Sequence, residues 1–324
     1  MKAFFRFFAE LNDFLPLNRR EVWIPYDLNG PVAVKQPIEA LGIPHPEVDA
    51  ILANGQAVGF SYRVQAGDNL EVYPGAGEAL RGLRAAGLGV VLLTNMPRPS
   101  STMPGALARL GFPEDAWDAI VTSGDAIRVE LASRAPGPVH VLGRRTDRGL
   151  WDGLDLDFVD DVAEASFLGI AGLRGDAEVP GDYEAELRAA RERDLELLCA
   201  NPDLVIRSGG HLRWCAGSVA QAYEAMGGQV VQAGKPHAAI YGRALEVVAG
   251  AVGRPVPRAR ILAIGDGIGT DILGANRQGL DSVFVASGMH GDALLRGSGV
   301  DEQRVAQVLA AESVSATYAI PRLA

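Results

Sequence analysis

The chain is constrained most by short, uninterrupted apolar runs that break at once into threonine, asparagine, glycine or aspartate and then into a helical pattern. Val90-Val91-Leu92-Leu93 leads into Thr94-Asn95-Met96-Pro97-Arg98, and Ile261-Leu262-Ala263-Ile264 leads into Gly265-Asp266-Gly267-Ile268-Gly269-Thr270-Asp271. A strand that is apolar at every position is buried on both faces, as in parallel sheets crossed over by helices. Helical patterns stand beside these runs: Glu78 to Ala86 before Gly87, Thr102 to Leu110 before Gly111, Ile240 to Ala249, and Asp271 to Gln278 before Gly279. Ala119 to Val121 and Ser282 to Ala286 read as further short strands. The rhythm predicts an α/β fold with a doubly wound parallel sheet from about residue 75 onward. Such sheets bind ligands beyond the carboxyl ends of their strands, which directs attention to three loops.

In the first loop, the Thr94 hydroxyl and the Asn95 amide, with free backbone N–H groups, suit a phosphoryl oxygen. The same two residues also suit a turn or helix cap. In the second, Gly234-Lys235-Pro236-His237 follows the apparent strand Gln229 to Ala233. An ammonium there would offset phosphate charge in a transition state, and Pro236 needs no explanation beyond a helix start. In the third, Asp266 and Asp271 would face one spot at the sheet edge. Two hard oxygen ligands around a glycine-rich turn suit Mg²⁺. A Thr270 N-cap with Asp271 on the helix dipole would explain Asp271 but not Asp266. Thr270 stands where a dinucleotide fingerprint needs its third glycine, which argues against a nicotinamide or flavin site.

The order Leu-Leu-Thr-Asn, Gly-Lys-Pro, Gly-Asp-x-x-x-Thr-Asp resembles motifs II, III and IV of the haloacid dehalogenase superfamily. Leu92 to Arg98, Ala200-Asn201-Pro202-Asp203 and the late Gly234-Lys235-Pro236 point to its subfamily IIA. The likeness spans about 75 to 290. It implies a core from 74–127 and 213–324 and an α/β cap inserted over 128–212. Strands are expected in that cap at Val139 to Leu142, Phe167 to Ala171 and Leu195 to Cys199, with a helix over Tyr183 to Glu192. By the same likeness Thr94 and Lys235 would act in catalysis. Asn95, Arg98, Asn201 and Asp203 would contact substrate, and Asp266 and Asp271 would hold Mg²⁺. The cap would exclude water and choose the substrate.

Residues 1–73 read differently. Phe4 to Phe8 and Glu21 to Tyr26 are strand-like, Val34 to Leu41 is a helix candidate closed by Gly42, and Asn54-Gly55 is a hairpin signal. This order predicts a β-grasp (α+β) domain. Ile51-Leu52-Ala53-Asn54-Gly55 and Ala66-Gly67-Asp68-Asn69-Leu70-Glu71-Val72-Tyr73-Pro74 resemble the ubiquitin-like domain found ahead of PIN-type nuclease modules. The chain runs on through Pro74-Gly75-Ala76-Gly77, so the free Gly-Gly tail of carrier proteins is missing, and no nuclease-like acidic cluster follows.

One departure stands out. The resemblance implies a first strand ending in Asp-x-Asp, whose first aspartate forms an aspartyl-phosphate and binds Mg²⁺. The residues ahead of Thr94 contain no such strand. Asp27, in Ile24-Pro25-Tyr26-Asp27-Leu28-Asn29-Gly30, is the nearest match, but Pro25 is foreign to a central strand. Losing a central strand strips its neighbours of ladder partners, so a segment of the N-terminal part is expected to fill the slot, Asn69 to Tyr73 being the first candidate.

Composition narrows the partners. Thirty basic and forty acidic residues give a net charge of −10, which disfavours nucleic acid and anionic membranes. The apolar runs fall short of the roughly 18 residues that span a bilayer, and two cysteines, Cys199 and Cys215, do not make a disulfide framework. A cytoplasmic protein with a small phosphorylated substrate is expected, with homo-oligomerisation open. Two function classes stay in play: a Mg²⁺-dependent phosphatase, and a phosphate- or metal-binding module that recruits a partner through its ubiquitin-like part.

Overall fold

The computed structural model describes residues 1–28, 30–43, 48–109, 112–145, 149–208, 211–286, 291–296, 299–321 and 323. The chain divides into two compact units. One comprises Met1–Val90, Pro104–Asp118 and Pro257–Ala324, the other Val91–Met103 and Ala119–Val256.

The first unit opens with β1 (Lys2–Phe7), β2 (Ile24–Asp27), a short β3 (Val32–Ala33), α1 (Lys35–Ala40), β4 (Val48–Ala53), β5 (Gln56–Val58), a short β6 (Arg63–Val64) and β7 (Asn69–Pro74). The main sheet runs β2-β1-β7-β4-β5, with β1 and β7 parallel at its centre. This is the expected β-grasp order. Alternate residues of β1 (Ala3, Phe5 and Phe7) enter one core with Ile38 of α1 and with Leu70 and Val72 of β7, as the two-residue period of a strand requires. Asn54 and Gly55 close β4 onto β5 as a two-residue turn, Asn54 taking a positive φ of 52°. That conformation is the reason for the Asn-Gly signal.

One expectation changes here. Asn69 to Tyr73 does not complete the α/β sheet, because β7 is bonded on both sides, to β1 and to β4. Local ladder closure within the β-grasp layer outcompetes a distant slot. Asp27 lies at the exposed end of β2, opposite Lys2. That strand is the sheet's edge, where Pro25 costs no ladder bond. Asp68 is a turn residue, its carboxylate accepting from Asn54 Nδ2 (2.8 Å), Tyr62 OH (3.0 Å) and the Gln65 N–H (2.8 Å).

The chain continues through α2 (Ala76–Ala85), β8 (Val91–Thr94), α3 (Met103–Arg109), β9 (Ala119–Thr122) and α4 (Ser123–Ser133). It then runs through β10 (Val139–Val141), β11 (Phe158–Val159), β12 (Phe167–Ile170), α5 (Glu184–Glu192) and β13 (Glu196–Cys199). After a hairpin of β14 (Val205–Ser208) and β15 (His211–Trp214) come α6 (Ala216–Ala225), β16 (Gln229–Gln232) and α7 (Ala238–Val252). In the second unit β8 pairs β9 in parallel. A five-stranded sheet, β11-β10-β12-β13-β16, is parallel throughout.

The sheet and core built by β10, β12 and β13 take in residues beyond 212. β16 extends the sheet, and Ala216, Val219 and Tyr223 of α6 share a core with Leu187 and Leu197. Each such fully buried large apolar side chain contributes roughly 1.5–3 kcal/mol.

The first unit ends with β17 (Leu262–Gly265), α8 (Leu273–Gln278), β18 (Asp281–Val285), short β19 (Leu295–Arg296) and β20 (Gly299–Val300), α9 (Glu302–Ala311) and β21 (Tyr318–Ile320). β17, β18 and β21 form a parallel sheet over a core of Ile272, Phe284, Val305 and Leu309. Among the described residues β8 has β9 as its single strand partner and β17 has β18. No described helix is long and apolar enough to cross a membrane.

Candidate active site

In the second unit the site is organised around Asn95. β13 and β16 are parallel neighbours with Cys199 opposite Gln232, so the loops leaving their carboxyl ends, 200–203 and 233–235, start side by side. β8 and β9 end together, Thr94 opposite Thr122. Thr122 caps α4 in a reciprocal box with Asp125, which fixes the path of the next residue, Ser123. Ser123 is fully buried, with Oγ 2.9 Å from the Asn95 carbonyl oxygen and also in hydrogen-bond reach of the Ala200 carbonyl. The Thr-x-x-Asp pattern that announces this cap was legible in the sequence; the role of Ser123 was not.

Asn95 is 6% exposed. Its Nδ2 donates to Asp203 Oδ1 (2.8 Å) and to the Lys235 carbonyl (3.1 Å), and its Oδ1 accepts from the Lys235 N–H (2.7 Å). Both amide N–H groups are spent inside the protein. Asn95 thus positions its neighbours: it clasps the lysine loop at backbone level and holds the Asp203 carboxylate. Asn201 also serves the loop, its Oδ1 accepting from the Asp203 N–H at 3.0 Å in an Asx turn. Gly234 is required by the same clasp. A Cβ there would lie 2.6 Å from Asn95 Oδ1 and 2.7 Å from Pro202 Cδ.

Thr94 is partly exposed, and its Oγ1 accepts from the Met96 N–H at 3.2 Å. The turn-capping role is therefore present, and the hydroxyl proton can still be donated. Lys235 is half-buried and Arg98 exposed.

Cys199 and Cys215 flank this loop system. Burial pushes the Cys199 thiol up to about 12 and the Cys215 thiol up to about 11. The thiolate is the reactive form, so neither cysteine is expected to react with 5,5′-dithiobis(2-nitrobenzoate) at pH 8 in the folded protein. Both should titrate after denaturation; rapid labelling of the native chain would contradict the burial.

In the first unit Asp266 and Asp271 lie past β17. Sequence reasoning starts the next helix at Asp271 with Thr270 as cap. Instead a π turn, Ile268–Ile272, opens the helix from Gly267 and runs into α8. Asp271 lies inside that turn, and its Oδ2 accepts from the Gly267 N–H at 3.0 Å. Such π turns are frequent at functional sites. Among the described residues no three His, Cys, Asp or Glu side chains gather into a metal cage. Mg²⁺ does not need one, since it takes one or two carboxylates and keeps waters and substrate phosphate. The two carboxylates, one partly engaged by a backbone N–H, fit that donor set. The site residues thus form two groups: Thr94, Asn95, Asn201, Asp203 and Lys235 in one unit, and Asp266 and Asp271 in the other.

Comparison with known proteins gives matches over most of the chain. A Mut7-C ubiquitin model matches residues 1–79, a haloacid dehalogenase-like hydrolase model matches 67–157, and a HAD-hydrolase-like model matches 232–311. A hydrolase of the haloacid dehalogenase-like family from Brucella suis is 36% identical. The alignment covers 77% of this chain and 88% of that one, with a TM-score of 0.67. A p-nitrophenyl phosphatase from Archaeoglobus fulgidus is 21% identical over 76% of this chain and 88% of its own, with a TM-score of 0.57. A 4-nitrophenylphosphatase from Thermotoga maritima is 21% identical over 78% and 88%, with a TM-score of 0.55. No curated protein matches the chain.

Proposed function

Because the chain belongs to the haloacid dehalogenase-like hydrolase family, we propose that it is a Mg²⁺-dependent phosphatase of a small phosphorylated metabolite. The observation that carries this reading is the Asn95 clasp on Lys235. A buried amide that grips a lysine at both its backbone N–H and its carbonyl anchors the point from which the ammonium side chain extends. A positioned cation aimed at developing phosphate charge is the largest kind of catalytic contribution a protein makes. Thr94 would donate its hydroxyl proton to a phosphoryl oxygen, and the exposed Arg98 would meet the substrate beyond it. Asp266 and Asp271 would hold Mg²⁺, which when bound neutralises phosphate charge. A net charge of −10 favours a small molecule over nucleic acid or an anionic membrane. Two buried reduced thiols suit the cytoplasm.

A second reading rests on β7. Because Asn69–Pro74 is bonded within the β-grasp sheet, no strand among the described residues stands beside both β8 and β17 in place of the family's Asp-x-Asp strand. The protein would then bind Mg²⁺ and phosphoester without turnover, and its ubiquitin-like part would recruit a partner. Hydrolysis of p-nitrophenyl phosphate by the full chain, with Mg²⁺ and again after chelation, decides between the two. Turnover lost on chelation is the expected result, and the absence of Mg²⁺-dependent turnover would overturn the phosphatase reading. Trapping with beryllium fluoride would identify the carboxylate that attacks.

A further inference from the structure

The inserted layer carries a second crevice that the reading above does not use. Its sheet order, β11-β10-β12-β13-β16, is 2-1-3-4-5 in order of appearance. The chain leaves β10 for one side and then returns to the other, so the carboxyl end of β10 is a topological switch point, where doubly wound sheets bind ligands. A broad, open depression lies there, lined by His140, Gly143, Arg145, Asp160, Arg174 and Glu186. The loops after β10 and β12 close together at its base. A Cβ on Gly143 would lie 1.8 Å from the Gly172 carbonyl oxygen, so only glycine permits that approach.

The charges at this crevice differ in how firmly they are held. Arg174 lies over the Tyr183 ring, 4.3 Å from its centroid, and pairs with Glu178 (3.2 Å) and Glu186 (2.6 Å). Its carbonyl accepts from Arg144 Nε at 2.6 Å, which pins one loop to the other. Glu186 also meets His140 Nε2 at 3.1 Å. Asp161 caps the Ala163 N–H through Oδ1. Arg145 is different. It lies 5.8 Å from the Phe158 ring centroid and pairs with Asp160, whose side chain is 94% exposed; such surface contacts contribute about 0–1 kcal/mol each. The crevice thus presents one fixed guanidinium and one that exchanges partners cheaply, on loops after the first and third strands.

We propose that this crevice binds a small metabolite through an oxyanion, phosphate or carboxylate, with Arg145 leaving Asp160 to grip it beside Arg174. Guanidinium forks match either group in bidentate fashion.

The test uses the full-length Lys235→Ala/Asp266→Asn variant, which removes the phosphate site proposed above. Pyrophosphate or citrate is titrated in while the His140 ring ¹⁵N–¹H signals, assigned with His140→Gln, are followed. Saturable shifts at millimolar concentration are expected. In an Arg145→Gln background the affinity should fall about tenfold or more, the loss of one charge-assisted contact. Arg145 is exposed, and an unchanged circular dichroism spectrum would show that the variant folds. A response to pyrophosphate alone assigns the site to phosphate, and a response to citrate alone assigns it to carboxylate. No saturable shift with either probe, or equal affinity with and without Arg145, overturns the proposal.

Discussion

Replacing Asp266 with asparagine is expected to lower Mg²⁺-dependent p-nitrophenyl phosphate hydrolysis by more than about 100-fold, since even the outer partners of a metal are typically worth 10–100-fold. The substitution keeps the shape and removes the charge, so stability should barely move. Asp266 immediately follows β17, on a half-buried loop residue rather than in a packed core. Should the wild type bind phosphate without turnover, the same substitution should raise the apparent Kd for Mg²⁺-dependent phosphate binding by a similar factor. Asp271→Asn is expected to be milder, because asparagine retains an oxygen to accept from the Gly267 N–H. Equal Mg²⁺ dependence in wild type and Asp266→Asn, followed by initial rates across a magnesium titration, would remove Asp266 from the site.

Asn95→Leu should damage both fold and activity. Leucine is close in size, yet it leaves the Lys235 N–H and carbonyl and the Asp203 carboxylate without the partner they have now. Burying polar groups without partners costs about 1–3 kcal/mol each, so a total loss of about 2–4 kcal/mol is expected after partial relaxation. A thermal melt should show it as a lowered midpoint, and turnover should fall about 100-fold as Lys235 loses its fixed path. Asn95→Asp is a sharper version of the same test. It keeps an acceptor for the Lys235 N–H but sets a second carboxylate against Asp203, where like charges repel. An Asp variant as stable and active as the wild type would show that the clasp on Asp203 does nothing.

Much of this was readable beforehand because it depends on local rules. The apolar runs at Leu92-Leu93 and Leu262-Ala263-Ile264 formed strands, Asn54-Gly55 formed its turn, and the motif order pointed to the family the comparisons show. The loop-holding hydrogen bonds of Asn95 and Asn201 were not legible. An asparagine past a strand looks equally fit to touch substrate or to hold a loop, and only its spent hydrogen bonds separate the two. Asn69 to Tyr73 was misplaced for a similar reason, since a strand pattern does not say which sheet will take it. That α6 and β16 join the sheet and core of β10 to β13 was not legible, because they look like any helix and strand until their packing partners are known.

The order of residues alone determined which segments become strands and helices and which side chains carry charge and hydroxyls, because backbone propensity and hydrophobic period act over a few neighbours. Tertiary structure alone decided that Asn95 grips residues more than a hundred positions away, that β7 closes the β-grasp sheet, and that the glycine loops after β10 and β12 meet at a crevice. Those outcomes depend on which buried polar groups find partners and which backbones can approach, and both are settled only when distant parts of the chain compete for the same space.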